Sequence, residues 1–596
     1  MTSVHYVSPE SAGTLAGLLR ERSLRSAERV AYRDYDAAIQ TWEAKTWGQM
    51  AELAARWQAG LRREPLAPGD RVALMLRNCR EWVAFDQAAL GLGLVVVPLY
   101  LDDRPENCAY MINDAEVRLV LFEGEEQWAK LDSVREHLTC VQRFLSLRLM
   151  AESGEPRLAF ARDWLPETAG EFSVSALDPD ALATIVYTSG TTGRAKGVML
   201  SHRNILTNAW AALQGFAVYP DDSFVSFLPL SHMLERTSGY YLPMMAGASV
   251  AFARSVALLG EDLLTHRPTL LISVPRIYER VYGRINEQLA QNPRARKLFD
   301  LAVEVGWSRF EYRQGRGRWR AAHLLWPLLE RLVARKVMAW LGGRLRCAIC
   351  GGAALSPQVS RMFIGLGLTI LQGYGLTETS PVLTACTEAA NDPASVGKAV
   401  YGAELKIGEQ SELLARSSSV MLGYWRNSEA TRAVLDPNGW FHTGDQARIA
   451  NGYVYITGRL KEIIVLANGE KIPPVDMELA ITTDPLFEQV LVLGEGRPYL
   501  SALLLINREQ WIRVAAESGL GEGAEALQTD AAQALAVVRI GKCLGNFPGY
   551  AQIRRVAMTM TPWSVENGLL TPTLKLKRSR ILETHAADLE SIYKGH

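Results

Sequence analysis

Between Tyr187 and Gly197 the chain reads YTSGTTGRAKG, with three glycines, four serine or threonine residues and two cations in eleven positions. Glycines at 190, 193 and 197 let the backbone bend and approach a ligand without a Cβ in the way. Successive backbone N–H groups in such a turn form an anion-binding concavity. Thr188, Ser189, Thr191 and Thr192 add hydroxyl donors, and Arg194 and Lys196 add positive charge. The combination suits a polyphosphate. The spacing is neither G-x-x-x-x-G-K-[ST] nor G-x-G-x-x-G, so the loop is neither a Walker loop nor a dinucleotide fingerprint. Taken alone, it also fits a plain glycine turn on the surface.

Four further regions carry residues of the same chemical kind. FLPLSHMLERTSGYY (227–241) places His232 and Glu235 after an apolar strand. LQGYGLTETS (371–380) is a Gly-Tyr-Gly turn followed by Thr377 and Glu378. GWFHTGD (439–445) ends in Asp445, and TGRLKE (457–462) follows it with Arg459 and Lys461. NGLLTPTLKLKR (567–578), near the C-terminus, contains Lys575. In this order, over most of the chain, the motifs resemble the adenylate-forming superfamily of acyl-CoA synthetases, luciferases and peptide-synthetase adenylation domains. PLSHMLERTSGYYLPMMAGASVAFA together with LTPTLKLKR looks like its long-chain fatty acyl-CoA synthetases. Two departures stand out. Residues 403–423 read AELKIGEQSELLARSSSVMLG, without the family's usual acidic-glycine turn, and Ala195 replaces the common proline before Lys196.

The resemblance implies a reaction and a role for each residue. A carboxylate would attack the α-phosphate of ATP to give acyl-AMP and pyrophosphate, and the thiol of coenzyme A would then displace AMP. Bringing two anions together requires cations and Mg²⁺. Thr188, Ser189, Gly190, Thr191, Thr192, Gly193 and Lys196 would hold the β- and γ-phosphates. Gln372, Gly373, Tyr374, Gly375 and Thr377 would border the nucleotide, Tyr374 beside adenine. Glu378 is a hard oxygen ligand suited to Mg²⁺. Asp445 would accept from the ribose hydroxyls, and Arg459 would be a fixed, always-charged donor to the nucleotide. Lys575 matches the catalytic lysine bridging carboxylate and α-phosphate, His232 would orient the acid, and Lys461 matches a hinge. The set implies Mg²⁺ as cofactor, with ATP and coenzyme A as co-substrates and a fatty acid as substrate. A ligase that delivers to a carrier protein, a ligase for medium-chain or aromatic acids, and a non-enzymatic ATP-binding scaffold remain the alternatives.

Such residues need elements to hold them. RVALMLRN (71–78), LVVVPLY (94–100), RLVLFEG (118–124) and ALATIVYTSG (181–190) read as buried strands alternating with amphipathic helices. That pattern predicts an α/β fold with a parallel sheet covered on both faces. Ser201 reads as the N-cap of a helix. From about 459 the texture changes: a charged GRLK tetrad, a turn at Asn468-Gly469 and Pro473-Pro474 predict a small α+β lid domain. The predicted division is therefore 1–458, an ATP- and acyl-binding domain, and 459–596, a mobile lid.

Composition bounds the rest. The chain has 596 residues, too many for one core, and equal numbers of acidic and basic residues, 64 of each. The molecule as a whole is thus no polyanion binder, and no nucleic-acid partner is expected. Seven scattered cysteines fit a reducing compartment, and Cys347 and Cys350 read as two cysteines of one strand. With no signal-like N-terminus and no long apolar run, a cytoplasmic protein without a transmembrane segment is expected. Segment 276–340 differs, with 14 Lys/Arg against 6 acidic residues, a net of +8, and Trp307, Trp319, Trp326 and Trp340 interleaved. It reads as a helical pair packed on the core, or as a basic-aromatic surface for peripheral association with the inner face of an anionic membrane.

Overall fold

A computed structural model describes the chain except for residues 1–4, 152–153, 189–193, 461, 468–469, 546, 548–550, 572–575 and 594–596. The chain divides into two compact units. The larger comprises 1–406, 414–443 and 449–455, and the smaller 407–413, 444–448 and 456–596.

Two large sheets form most of the larger unit. In one, the parallel strands Leu182–Thr188, Val95–Pro98, Arg71–Met75, Val117–Phe122, Arg143–Ser146 and Leu158–Phe160 lie side by side in that order. The residues of the four strands Leu182–Thr188, Val95–Pro98, Arg71–Met75 and Val117–Phe122 are mostly buried, as strands covered on both faces require, while the edge strand Leu158–Phe160 is only half-buried. The antiparallel strand Lys196–Ser201 extends this sheet, returning beside Leu182–Thr188 as a hairpin. A second strand thus follows the glycine loop before any helix, as the apolar run GVMLS (197–201) ahead of SHRNILTNAWAALQ implies. The helix comes one strand later, His202–Gly215, capped by Ser201 with a reciprocal Asn204 contact as expected.

The second sheet runs parallel from Thr369–Gly375 through Cys347–Cys350, Leu270–Ser273, Ser223–Ser226 and Ser249–Phe252 to Val30–Asp36. Antiparallel strands extend both ends. Cys347 and Cys350 are buried neighbours in one strand, and burial pushes the Cys347 thiol up to about 12.

A buried polar network joins the two sheets. Arg236 donates to Asp86 at 2.5 Å and to the Thr184 hydroxyl at 2.8 Å. Tyr240 and Tyr241 donate their hydroxyls to the second Asp86 oxygen, at 2.9 and 2.7 Å. Asp86 lies on the deeply buried helix Arg80–Gly91, and Thr184 on Leu182–Thr188. A charge pair with no solvent contact survives only when its remaining lone pairs and protons are also met, and here three hydroxyls supply most of that. The segment carrying Arg236 winds as a π-helix, Arg236–Tyr241, a wider turn that recurs at functional sites.

Segment 276–340 is helical, as expected. Its helix Pro293–Arg313 crosses Pro357–Gly365 at a glycine pair: a Cβ on Gly306 would lie 1.7 Å from the Gly365 carbonyl oxygen. Only some of its tryptophans lie at the surface. Trp326 is buried and Trp307 half-buried in the same cluster, while Arg316 is held by Glu311 and the Asn391 carbonyl.

The smaller unit has its own core. Phe487–Leu493 pairs antiparallel with Leu500–Ile506, which pairs parallel with Ile553–Thr559. Helices Pro474–Ile481, Arg508–Ser518 and Asp530–Cys543 contribute Met477, Trp511 and Ile540 to one cluster against this sheet. The expected turn at Asn468-Gly469 lies outside the described residues.

Candidate functional site

Thr188 and Lys196 face each other on the last rung of the hairpin that brackets the glycine loop. Ser189, Gly190, Thr191, Thr192 and Gly193 lie outside the described residues. The flanks of the loop are fastened to the helix Pro105–Asp114. The Tyr110 hydroxyl donates to the Ala195 carbonyl at 3.2 Å, and the Arg194 guanidinium sits over the Tyr110 ring at 5.4 Å. The Tyr187 hydroxyl donates to Asp114 at 2.5 Å. Two rigid strands and one helix thus fix where the loop begins and ends.

The second part of the site leaves the end of Thr369–Gly375, the carboxyl edge of a parallel run, where open α/β sheets bind ligands. Gln372 is buried. Its amide donates to the Pro393 carbonyl at 2.6 Å, and its oxygen accepts from the Leu355 backbone at 3.2 Å. Its side chain therefore organises the surrounding loops. Gly373 and Tyr374 pair with Ala385 and Thr384, and Tyr374 is half-buried. Gly375 has no room for a side chain, since a Cβ would lie 1.7 Å from the Pro381 carbonyl oxygen. That closeness lets the chain turn tightly into the short 3₁₀ turn Thr377–Thr379, which presents Glu378.

A residue the motifs did not flag joins these two parts. Gly423–Tyr424 pairs antiparallel with the Lys196–Ser201 strand, Tyr424 opposite Val198. The Tyr424 hydroxyl donates to Glu378 Oε1 at 2.8 Å, and Lys196 Nζ lies 4.9 Å from the centre of the Tyr424 ring. The Met421 N–H donates to the Glu378 carbonyl, and the Trp425 N–H to the Gly197 carbonyl. One short strand thereby binds the loop's cation and the turn's carboxylate to the same tyrosine. The only sequence signal was an aromatic pair after glycine in LGYW, at 422–425.

The chemistry of this donor set fits a hard divalent cation shared with a substrate. Glu378 Oε2 accepts no hydrogen bond from the described residues, while Oε1 is held in place by Tyr424. Among the described residues no group of three His, Cys, Asp or Glu forms a cage. One carboxylate with the remaining positions left to phosphate and water is the usual Mg²⁺ arrangement.

His232 lies beyond the end of Ser223–Ser226, half-buried, and its Nδ1 accepts from the Leu234 N–H at 3.2 Å. That contact leaves the ring proton on Nε2 in the neutral form. Leu234 packs over Gly351, just past the Cys347–Cys350 strand, so the histidine and the Gly-Tyr-Gly turn belong to the same edge of one sheet. Next comes Glu235, fully buried, with Oε2 unpartnered. Loss of water pushes its carboxyl from 4.5 up to about 8, against the opposing pull of the Ser226 hydroxyl.

In the smaller unit Asp445 is buried and accepts from the half-exposed Arg459 guanidinium at 2.9 Å. The Leu460 N–H donates to the Gly444 carbonyl, which keeps Arg459 and Asp445 side by side. Lys461 and Lys575 lie outside the described residues. The flanks of Lys575 are well held: Leu570 bridges Leu576, and the Lys577 N–H donates to the Leu569 carbonyl at 2.8 Å. Arg578 then forks onto Glu478, with contacts of 2.8 and 3.0 Å, and onto the Val492 carbonyl. It anchors the segment that follows Lys575.

Comparison with known proteins gives a concordant picture. The AMP-binding enzyme family matches residues 19–425, and the AMP-binding enzyme C-terminal domain matches 461–596. A long-chain-fatty-acid–CoA ligase, FadD15 of Mycobacterium bovis, is 32% identical over 564 residues, covering 93% of this chain and 92% of its own. A chloroplastic long-chain-fatty-acid–[acyl-carrier-protein] ligase of Arabidopsis thaliana, AEE15, is 27% identical over 621 residues, covering 92% of this chain and 82% of its own. The adenylation domain of a carboxylate reductase from Mycobacterium chelonae superposes with a TM-score of 0.75 at 23% identity, covering 97% of this chain and 91% of its own. That likeness shows the fold: mixed α/β, with a large parallel-sheet N-terminal domain and a smaller C-terminal one.

Proposed function

The chain belongs to the AMP-binding enzyme family and is an adenylate-forming carboxylic acid ligase, and we propose that its acid is a long-chain fatty acid and its acceptor coenzyme A. The observation that carries this reading is the 32% identity, over 93% of the chain, to a long-chain-fatty-acid–CoA ligase. In the first step a carboxylate oxygen of the acid attacks the α-phosphorus of ATP, and the bond to the β-phosphate oxygen breaks, releasing pyrophosphate. In the second step the thiol sulfur attacks the acyl carbon, the bond to AMP breaks, and the thiol proton leaves to solvent.

Lys196 and Thr188 steer the β- and γ-phosphates from the two sides of the glycine loop. Glu378, held by Tyr424, would hold Mg²⁺, whose charge when bound offsets that of the phosphates. His232 orients the acid with its Nε2 proton. Asp445 accepts from the ribose hydroxyls, with Arg459 beside it as the fixed cation. Lys575 supplies charge where carboxylate and α-phosphate meet, and withdraws before the thiol arrives; Lys461 is the hinge that permits this. The C-terminal segment thus serves the two half-reactions in turn.

Pyrophosphate release across saturated acids of increasing length tests the acid. Each methylene that enters an apolar site contributes about 0.8 kcal/mol, a factor of about four in kcat/KM. The profile should climb through the long-chain range, and a maximum at short-chain or aromatic acids would overturn the assignment. The carrier-protein ligase among the relatives makes the acceptor a separate question. Acyl thioester on free coenzyme A supports the reading, whereas thioester on carrier protein alone refutes it.

A further inference from the structure

The run 321–340 is helical, from Ala321–Leu325 through a π-turn at Glu330–Ala334 to Arg335–Trp340. Its inner face carries Trp326, Leu329, Val333 and Val337 into the core cluster of the insertion. Its outer face is apolar as well. Leu324, Leu328 and Leu332, each four residues apart, are 74%, 58% and 42% exposed, and Leu325 beside them is 47% exposed. Trp319 precedes the row at 57% exposed. Spacing of four puts residues on one stripe of a helix, so these leucines form a ridge that no described residue covers. Burying an apolar ridge is favourable, and leaving one in water is costly enough that it marks an interaction surface.

What surrounds the ridge selects the partner. Arg318, Arg320, Arg331, Arg335 and Lys336 are all exposed on the same stretch. Arg335 meets Glu330 at 3.4 Å. Arg318, Arg320, Arg331 and Lys336 form no ion pair with the described residues. Unpaired cations alone would fit any polyanion. A leucine ridge among them does not fit nucleic acid, whose backbone offers nothing apolar to bury. Apolar side chains flanked by unpaired cations match a bilayer whose headgroups are anionic and whose acyl boundary lies just beneath.

We propose that the outer face of 318–340 docks this protein on anionic lipid bilayers. The leucine ridge enters the acyl boundary, and the five basic residues lie among the headgroups. The surface is narrower than the whole +8 segment, since Trp326 and Arg316 are spent on the fold. The inference does not depend on which acid the enzyme activates, and its test does not use catalysis.

The experiment is flotation of the full chain with vesicles of neutral phosphatidylcholine and of phosphatidylcholine with 30% phosphatidylglycerol, at about 0.05 and 0.5 M salt. The expected result is partitioning onto the anionic vesicles at low salt, weaker at high salt, with little onto neutral ones. Each basic residue near such a surface contributes about a fivefold factor. Arg331→Glu, Arg335→Glu and Lys336→Glu together should therefore reduce binding more than a hundredfold. Leu324→Asp with Leu328→Asp should reduce it at least tenfold, and since both side chains point to solvent, far-UV circular dichroism should be unchanged. Three results would overturn the proposal: no binding to anionic vesicles at low salt, equal binding to neutral and anionic vesicles, or binding that both sets of substitutions leave intact. If the face instead serves a protein partner, the first of these is what the vesicles will show.

Discussion

Glu235→Gln should flatten the pH dependence of stability of the larger unit. Glu235 is fully buried one residue before the Arg236–Asp86 pair, with Oε2 unpartnered. Burial raises its carboxyl from 4.5 to about 8. Between those values the folded state keeps a proton that the unfolded chain has released. Stability from this group is therefore fully present below about 4.5 and is lost as pH rises towards 8. The interval is roughly 3.5 pH units at 1.36 kcal/mol each, about 5 kcal/mol at most. Glutamine keeps the shape and carries no titrating proton, so the variant should gain on the wild type by up to that amount from pH 5 to pH 8.5. For a unit of this size about 1 kcal/mol shifts Tm by roughly 1 °C. Only about 3 of those pH units lie above pH 5, so scanning calorimetry at pH 5, 6.5 and 8.5 would show the Tm difference between variant and wild type moving by about 4 °C in favour of glutamine. A difference constant across this range would refute the reasoning, because it would mean the carboxyl does not change protonation there.

Three further substitutions address the site and its support. Tyr424→Phe removes the hydroxyl that holds Glu378, a contact of about 1–2 kcal/mol; the KM for Mg·ATP should rise roughly tenfold, and an unchanged Mg²⁺ titration would detach Tyr424 from the site. Asp86→Asn leaves the buried Arg236 guanidinium without its counter-charge, so thermal unfolding should show a loss of about 3–5 kcal/mol, and a loss under 1 kcal/mol would contradict the charge-pair account. Lys575→Ala should abolish pyrophosphate release from acid and ATP yet spare thioester formation from supplied acyl-adenylate; equal loss in both half-reactions would exclude its role.

Much of the fold was legible because it is written locally. Runs such as RVALMLRN and ALATIVYTSG carry nearly continuous apolar stretches, at 72–76 and 181–187, which buried parallel strands require. Ser201 was readable as a cap because capping is a contact between near neighbours. Candidate site residues could be picked out where polar residues concentrate into short motifs, as at the glycine loop and at 371–380. What escaped was held by distance. Tyr424 meets Glu378 across 46 positions, and Arg236 meets Asp86 across 150. No local spacing encodes such pairs, and an apolar neighbourhood hides them. The basic insertion was visible as charge, but which of its aromatic and leucine residues face solvent depends on how its helices pack on Pro357–Gly365, a contact between segments distant in sequence.

The most direct measurement is product identity and stoichiometry with hexadecanoate, ATP and free coenzyme A in the presence of Mg²⁺, followed by mass spectrometry. Adenylate-forming activation predicts one AMP and one pyrophosphate for each acyl-CoA formed, and acyl-AMP accumulating when coenzyme A is withheld. ADP and inorganic phosphate in place of AMP and pyrophosphate, or hexadecanoate consumed without any thioester on coenzyme A, would contradict it.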